Sequence, residues 1–253
     1  KRISLKNLFL ASRNNDSELV QIYPLSDTDF PLESQQYLAL TKDTTGVFPW
    51  FTIECATCFH QMEKFPSFNN DDDVVVLLND EMGFIDEFRY NEDMHSSFLY
   101  DVEGVSLERI SMEKPASSTG NWFSASADAG YGTPGYKNSQ SGTEKSGQPE
   151  ITFEPETFSP NLDGYNDEYR IHYKLDQPGY LANAWIFDAG GRLVMQLAKN
   201  KILSTSGEIT WNGEDETGQK QPLGVYIVAV EIFNSDGKVY RFKNGVVLTN
   251  ILD

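Results

Sequence analysis

The stretch Tyr169-Arg170-Ile171-His172-Tyr173-Lys174 alternates strictly between apolar and polar or charged side chains. A period of two is that of a β-strand with one buried face. Similar short segments follow at residues 183–187, 193–197, 208–211, 225–233 and 239–248. Turn-forming pairs such as Asn212-Gly213 and Asp236-Gly237 separate them. About seven short strands without a long helical period predict a β-sandwich of roughly 100 residues.

The first half of the chain has the same character with a less regular pattern. Strand candidates are residues 8–11, 19–23, 37–40, 74–78, 85–90 and 105–110. Residues 74–78 are continuously apolar, which predicts a strand buried on both faces. Residues 94–100 are predicted to form a short helix. The chain is therefore predicted to be all-β, with two β-sandwich domains in tandem.

The predicted boundary between the domains is a segment without large apolar side chains. Residues 139–149 are almost entirely small or polar, which is typical of a linker. This places one domain at residues 1–138 and the other at residues 150–253.

Composition narrows the possible functions of the 253-residue chain. Acidic residues outnumber basic ones 38 to 20, giving a net charge of −18, so a nucleic-acid backbone would be repelled. No apolar run approaches the roughly 20 residues of a membrane-spanning helix. Three histidines and two cysteines supply little material for catalysis, and no enzymatic activity is predicted. The first residues contain no apolar core of an export signal.

Residues 5–138 resemble a bacterial lamin-tail domain. The resemblance rests on residues 69–78, Ile85-Asp86-Glu87, residues 104–110, Asn121-Trp122 and residues 133–138. It implies an immunoglobulin-like β-sandwich. The chain begins after the two strands that usually open such domains, so the first sandwich is expected to lack strands and to expose a sheet edge.

Residues 150–253 are similar to the C-terminal immunoglobulin-like domains of bacterial surface and gliding-associated proteins, and to that of the flagellar hook-capping protein. The motifs are residues 158–167, 186–188, 191–194, 211–213 and 222–226. The resemblance implies a structural or secretory role, and an extracellular or cell-surface location.

Asn161, Asp163 and Asp167 form the strongest candidate for a bound ion, a structural Ca²⁺. Oxygen side chains at alternate positions of a tight loop can converge on one hard cation. The set is incomplete, so such a site would borrow ligands such as Glu154 or Glu156. The alternative is a metal-free turn, because Asn, Asp and Gly also stabilise turns by themselves.

Cys55 and Cys58 form a single C-x-x-C motif. In an exported chain this spacing favours a local disulfide or two free thiols. Zinc binding with His60 and His95, or redox catalysis, are the alternatives.

Several further residue sets have both a chemical and a structural interpretation. Asp71-Asp72-Asp73 is interpreted as turn chemistry rather than a Ca²⁺ site, and Asp86-Glu87 and Glu92-Asp93 as surface carboxylates rather than a glycosidase pair. Trp185 and Trp211 are assigned to the core, whereas Trp50, Phe51 and Trp122 are candidate sugar-stacking residues. Ser124, Ser126 and His95 lack the signature of a hydrolase.

The sequence predicts a non-catalytic structural or binding module of a secreted or cell-surface bacterial protein. Its expected partners are other domains of the parent protein or surface components. The alternative is a carbohydrate-binding or adhesive accessory module of a larger extracellular enzyme, which would bind a glycan. A metal-dependent or redox enzyme is a further alternative.

Overall fold

The computed structural model describes residues 2–142 and 147–250, and the chain divides into two compact units. The first comprises Lys1–Ala125 and Ala129–Ser141, and the second Ser126–Asp128 and Gly142–Asp253. Within the described residues, the helical elements are one short α-helix, Thr44–Val47, and two 3-10 turns. The prediction of an all-β chain is confirmed.

The first unit is built around a four-stranded antiparallel sheet. The strands of the whole first unit are β1 (Ile3–Ser4), β2 (Leu8–Arg13), β3 (Leu19–Pro24), β4 (Pro31–Leu32), β5 (Ala39–Thr41), β6 (Phe59–Gln61), β7 (Asp72–Asn79), β8 (Phe84–Asn91), β9 (Leu107–Arg109) and β10 (Trp122–Ser124). The main sheet has the order β3-β2-β7-β8, and the pairs β1-β4, β5-β6 and β9-β10 form small additional sheets. The outer strands of the main sheet are therefore β3 and β8.

Strand β7 packs on both of its faces, as its continuous apolar sequence predicts. Val74, Val76 and Leu78 are buried in one cluster, while Val75 and Leu77 contact a second cluster on the other side. A strand that contributes to two apolar clusters organises the unit because each cluster removes apolar surface from water.

The prediction of a short helix at residues 94–100 is wrong. A 3-10 turn covers Glu92–Met94 and the following residues are irregular. The backbone N–H of Ser96 donates instead to the buried hydroxyl of Ser124, at 2.9 Å. Seven residues are too few for a helix to persist against such competing contacts.

The second unit is a β-sandwich of two sheets. Its strands are β11 (Glu150–Glu154), β12 (Thr157–Phe158), β13 (Tyr169–Lys174), β14 (Tyr180–Asp188), β15 (Leu193–Ile202), β16 (Ser206–Trp211), β17 (Gly224–Asn234) and β18 (Val239–Leu248). One sheet has the order β11-β13-β16 and the other β12-β18-β17-β14-β15. The inward-facing residues of both sheets form a single core that contains Tyr169, Ile186, Trp211 and Val228.

The described start of the predicted linker is attached to the first unit. Glu108 on β9 is almost completely buried, and its carboxylate accepts hydrogen bonds from the Ser139 hydroxyl at 2.6 Å and the Gln140 N–H at 3.0 Å. It also accepts one from the Thr133 hydroxyl at 2.6 Å. Gln140 is itself buried. Residues 143–146 of the predicted linker lie outside the described residues.

Candidate interaction surface

The motifs that distinguish the second unit in the sequence converge at one end of its sandwich. Strand register places Asp188 beside Tyr226, Tyr169 beside Trp211, and Gly224 beside Leu248. The loops 159–168, 189–192 and 212–223 therefore emerge from the same end, which we call the loop end. Residues of the sequence motifs that are up to about 70 positions apart in the chain therefore lie at the loop end.

Aromatic side chains fix the base of the loop end. The ring of buried Trp211 lies 5.3 Å from that of Phe158 and 4.9 Å from that of Tyr226, measured between centroids. The indole N–H of Trp211 donates to the carbonyl oxygen of Glu214 at 2.8 Å. Burial, followed by the nearby charge of Asp188, raises the pKa of Tyr226. Each ring thus joins core packing to the conformation of a loop.

The loop 159–168 is organised by its own polar side chains. The two carboxylate oxygens of Asp167 accept the backbone N–H groups of Leu162, at 2.6 Å, and Gly164, at 2.8 Å. Asp163 accepts the N–H of Tyr165 at 2.8 Å and the side-chain amide of Asn161 at 2.7 Å. These bonds hold the loop in a defined turn, although Leu162 has a φ of 64°, which is unusual for a bulky residue.

The structure therefore brings Asn161, Asp163 and Asp167 together, with their oxygens directed at donors of the loop itself. The Asn161 side-chain oxygen likewise accepts the N–H of Asp163 at 3.0 Å. Glu154, a candidate additional ligand, bonds to Nε2 of His172 at 2.8 Å. Among the described residues no group of three His, Cys, Asp or Glu side chains is placed to hold a metal ion. Hydrogen bonding accounts for the turn, and the two interpretations of the sequence, a Ca²⁺ site and a metal-free turn, both stay predictions.

An aspartate organises each of the other two loops in the same way. The Oδ1 atom of Asp188 accepts the backbone N–H groups of Gly190 and Arg192 at 3.0 and 2.9 Å. The side chain of Asp215 accepts the Thr217 hydroxyl at 2.7 Å and the backbone N–H of Gln219 at 3.1 Å. These bonds lower the pKa of both carboxyl groups, mainly through the Arg192 N–H for Asp188 and the Thr217 hydroxyl for Asp215. All three loops are consequently preorganised.

The outer surface of the five-stranded sheet carries an apolar patch next to the loop end. We call it the outer apolar face, and it consists of Trp185, Phe187, Leu193, Val225, Ile227 and Val247. These residues alternate with core residues along their strands and so point away from the core. Trp185, assigned to the core from the sequence, belongs to this half-buried outer set. The sequence analysis did not identify the other members of this face. Their signal is that residues 184–187 and 225–232 are apolar at nearly every position, so that both faces of these strands carry apolar side chains.

Residues 152–248 match the family model of the CHU_C type IX secretion signal domain. The matched segment lies within the second unit and includes all three loops and the outer apolar face. No curated protein sequence matches the chain.

Three solved structures show similarity at low sequence identity. PorZ, an essential surface component of the type IX secretion system of Porphyromonas gingivalis, is 22% identical over 40% of this chain and 11% of its own, with a TM-score of 0.26. Dimeric latent PorU from the same organism is 12% identical over 97% of this chain and 16% of its own, with a TM-score of 0.33. FlgD from P. aeruginosa is 18% identical over 42% of this chain and 78% of its own, with a TM-score of 0.28.

The family match gives the chain a bacterial secretion or cell-surface context. The second part of the predicted resemblance, to bacterial surface immunoglobulin-like domains, is confirmed at this level. None of the helices in residues 2–142 and 147–250 has the length and apolar character to cross a membrane.

The cysteine motif lies in the first unit, outside the type IX match. Cys55 and Cys58 are joined by a disulfide. Nε2 of His60 bonds to the carbonyl oxygen of Leu25 at 2.7 Å, and its ring packs on Phe30 at 4.8 Å between centroids. The histidine thus has a structural role, and the two sulfurs are bonded to each other.

The structure brings two of the three candidate hydrolase residues together. Nδ1 of His95 lies 3.1 Å from the hydroxyl oxygen of Ser124. Ser124 is completely buried, so a substrate cannot reach its oxygen. Ser126 belongs to the second unit and bonds to the hydroxyl of Ser204 at 2.7 Å. This arrangement supports a structural interpretation of the Ser124–His95 contact.

Of the paired carboxylates of the first unit, Asp86 and Glu87 have arginine partners. Asp86 pairs with Arg109 at 2.6 Å and Glu87 with Arg13 at 2.7 Å. Asp73 accepts the backbone N–H groups of Asn69 and Val74, which is turn chemistry, while Glu92 and Asp93 lie in a 3-10 turn.

Of the candidate sugar-stacking residues, Trp122 lies in the most developed site. It stacks on Phe88 at 3.6 Å between centroids, and its indole N–H donates to the carbonyl of Ala116 at 2.7 Å. Both rings line a cavity of about 500 Å³ with Arg89, Met94, Ala116, Ser117, Ser118, Thr119 and Gly120. Trp50 is 70% exposed, and Phe51 packs close to Gly132.

Proposed function

We propose that the second unit is a signal module through which a type IX secretion machinery recognises the chain and delivers it to the outside of a bacterial cell. The observation that carries this proposal is the match of residues 152–248 to a type IX secretion signal domain. The convergence of the sequence motifs on three preorganised loops supports it, because rigid loops lose little entropy on binding.

In this proposal the first unit is a non-catalytic structural or binding module related to bacterial lamin-tail domains. Its Ser124–His95 pair is inaccessible to substrate and its cysteines are in a disulfide, so the strongest chemical candidates in its sequence have structural roles. The partners of the whole chain would be components of the surface machinery during secretion and surface components afterwards.

The test is export of the full chain, preceded by a general export leader, in a bacterium that has type IX secretion. We expect the chain in the medium or on the cell surface of the competent strain, and its retention inside a strain in which that machinery is inactivated. Equal export by both strains would contradict the proposal.

A second candidate function is glycan binding by the first unit, which the cavity at Trp122 favours. It combines two stacked aromatic rings with the hydroxyls of Ser117, Ser118 and Thr119 and the guanidinium of Arg89. Sugars are bound by aromatic stacking together with such polar groups. Glycan-array binding that is lost in Trp122→Ala and retained in Trp50→Ala would support this candidate, whereas equal losses would not.

A further inference from the structure

The two outward-facing surfaces of the second sandwich differ sharply in polarity. A sheet packed on a core through one face normally presents polar side chains on the other. The three-stranded sheet follows this rule, since its outward residues are Glu150, Thr152, Glu154, Arg170, His172, Lys174, Ser206, Glu208 and Thr210. The five-stranded sheet departs from it at the outer apolar face.

Strand register makes the outer apolar face continuous. Val225 and Val247 are direct cross-strand partners and are 54% and 38% exposed. Phe187 is paired with Leu193 on one side and Ile227 on the other. The partner of Ile227 on β18 is Gly245, which has no side chain to cover it. Adjacent apolar side chains on four neighbouring strands form a patch rather than scattered exposed residues.

Charges border this patch on two sides. Away from the loop end, Lys243 is exposed on β18, and Arg241 forms an ion pair with Glu231 at 2.8 Å. At the loop end Asp188, the last residue of β14, forms an ion pair with Arg192 at 3.0 Å. An anionic membrane would be repelled by the net charge of −18. A protein surface can complement both borders at once.

We propose that the outer apolar face is the docking surface for a protein component of the secretion machinery, one that lays an apolar strand or patch on it and places carboxylates against Lys243. This inference rests on the proposed function, which supplies the machinery. The apolar contact provides the affinity, and the charged borders fix the orientation.

The test variant is the full chain with both Val225→Glu and Val247→Lys. The two positions face each other, so the new opposite charges form a favourable cross-strand pair and the strand pairing is retained. The matched control is Val239→Lys, which changes a 45% exposed valine on the same strand and the same outer surface, at its other end. Melting curves verify that both proteins are folded.

We expect the double variant to be exported at least tenfold less than the parent chain in the competent strain, and Val239→Lys to be exported normally. A photoreactive residue at position 247 in otherwise unaltered chain should form an adduct with a machinery component, identified by mass spectrometry. The same residue at position 239 should not.

Normal export of the folded double variant would overturn the docking inference while leaving the secretion role intact. So would adducts formed equally at both positions, only with a second copy of the chain, or only with lipid. Export of the parent chain that does not depend on the machinery would refute the proposed function instead, and the machinery-specific inference with it.

Discussion

Tyr226 donates its hydroxyl proton to the carbonyl oxygen of Pro222, four residues earlier in the chain, at 2.6 Å. The ring of the same tyrosine packs edge-on against Trp211 in the core. This side chain therefore connects the last loop of the loop end to the packed interior.

The Tyr226→Phe variant tests this connection. It keeps the ring and removes one hydrogen bond, and water can reach the exposed Pro222, so we expect a loss of about 1 kcal/mol in unfolding free energy. Tyr226→Ala also removes the buried ring and should cost about 3 to 5 kcal/mol. Denaturant unfolding measures both. Equal losses in the two variants would show that the ring packing contributes nothing.

Glu108 is expected to hold residues 133–140 onto the first unit. Replacing it with leucine leaves the donors of Thr133, Ser139 and Gln140 without their acceptor, with an expected loss of about 3 kcal/mol. In this variant limited proteolysis should cut at residues 139–142 in addition to the remainder of the predicted linker, residues 143–149. The control is Glu103→Leu, at an exposed position. Resistance of residues 139–142 in Glu108→Leu would contradict this role.

Calcium binding by Asn161, Asp163 and Asp167 can be decided by thermal unfolding. Because the loop N–H groups already occupy these oxygens, we expect the same melting temperature in millimolar Ca²⁺ and in chelator. Asp167→Ala should lower the melting temperature equally in both conditions, because the loop loses two hydrogen bonds. A rise with Ca²⁺ in the parent chain that Asp163→Ala abolishes would establish the metal site.

Burial lowers the pKa of His95 below its ordinary value. The unfolded chain therefore takes up a proton at this residue at a higher pH, near 6.5, than the folded chain does. Stability from this source is complete above about pH 6.5 and is lost as pH falls through the folded pKa. We expect the parent to lose more stability than His95→Gln between pH 7.5 and 5.5, as measured by urea unfolding. Parallel pH profiles of the two proteins would refute this.

The disulfide between Cys55 and Cys58 should contribute little to stability. It closes a very short loop, so the chain-entropy contribution is at most about 2 kcal/mol. The double variant Cys55→Ser and Cys58→Ser should therefore fold and be exported like the parent. Loss of export with unchanged melting behaviour would instead give the cysteines a functional role.

The sequence alone determined the strands of the second unit because their pattern is local. Residues 169–174 and 239–248 were predicted with the bounds that β13 and β18 have. Alternation of apolar and polar side chains specifies a strand within six to ten residues, and Asn, Asp and Gly specify the turns between strands. The turn formed by residues 161–167 was predicted in the same way, from its Asn, Asp and Gly residues.

The tertiary structure decided which distant residues meet. Val225 and Val247 become neighbours through strand register, and Glu108 meets Ser139 across 31 positions. Trp185 alternates with core residues, but alternation divides a strand into two faces without stating which is interior. That choice depends on how the second sheet covers the first, and such long-range packing placed Trp185 on the outer apolar face and Trp211 in the core.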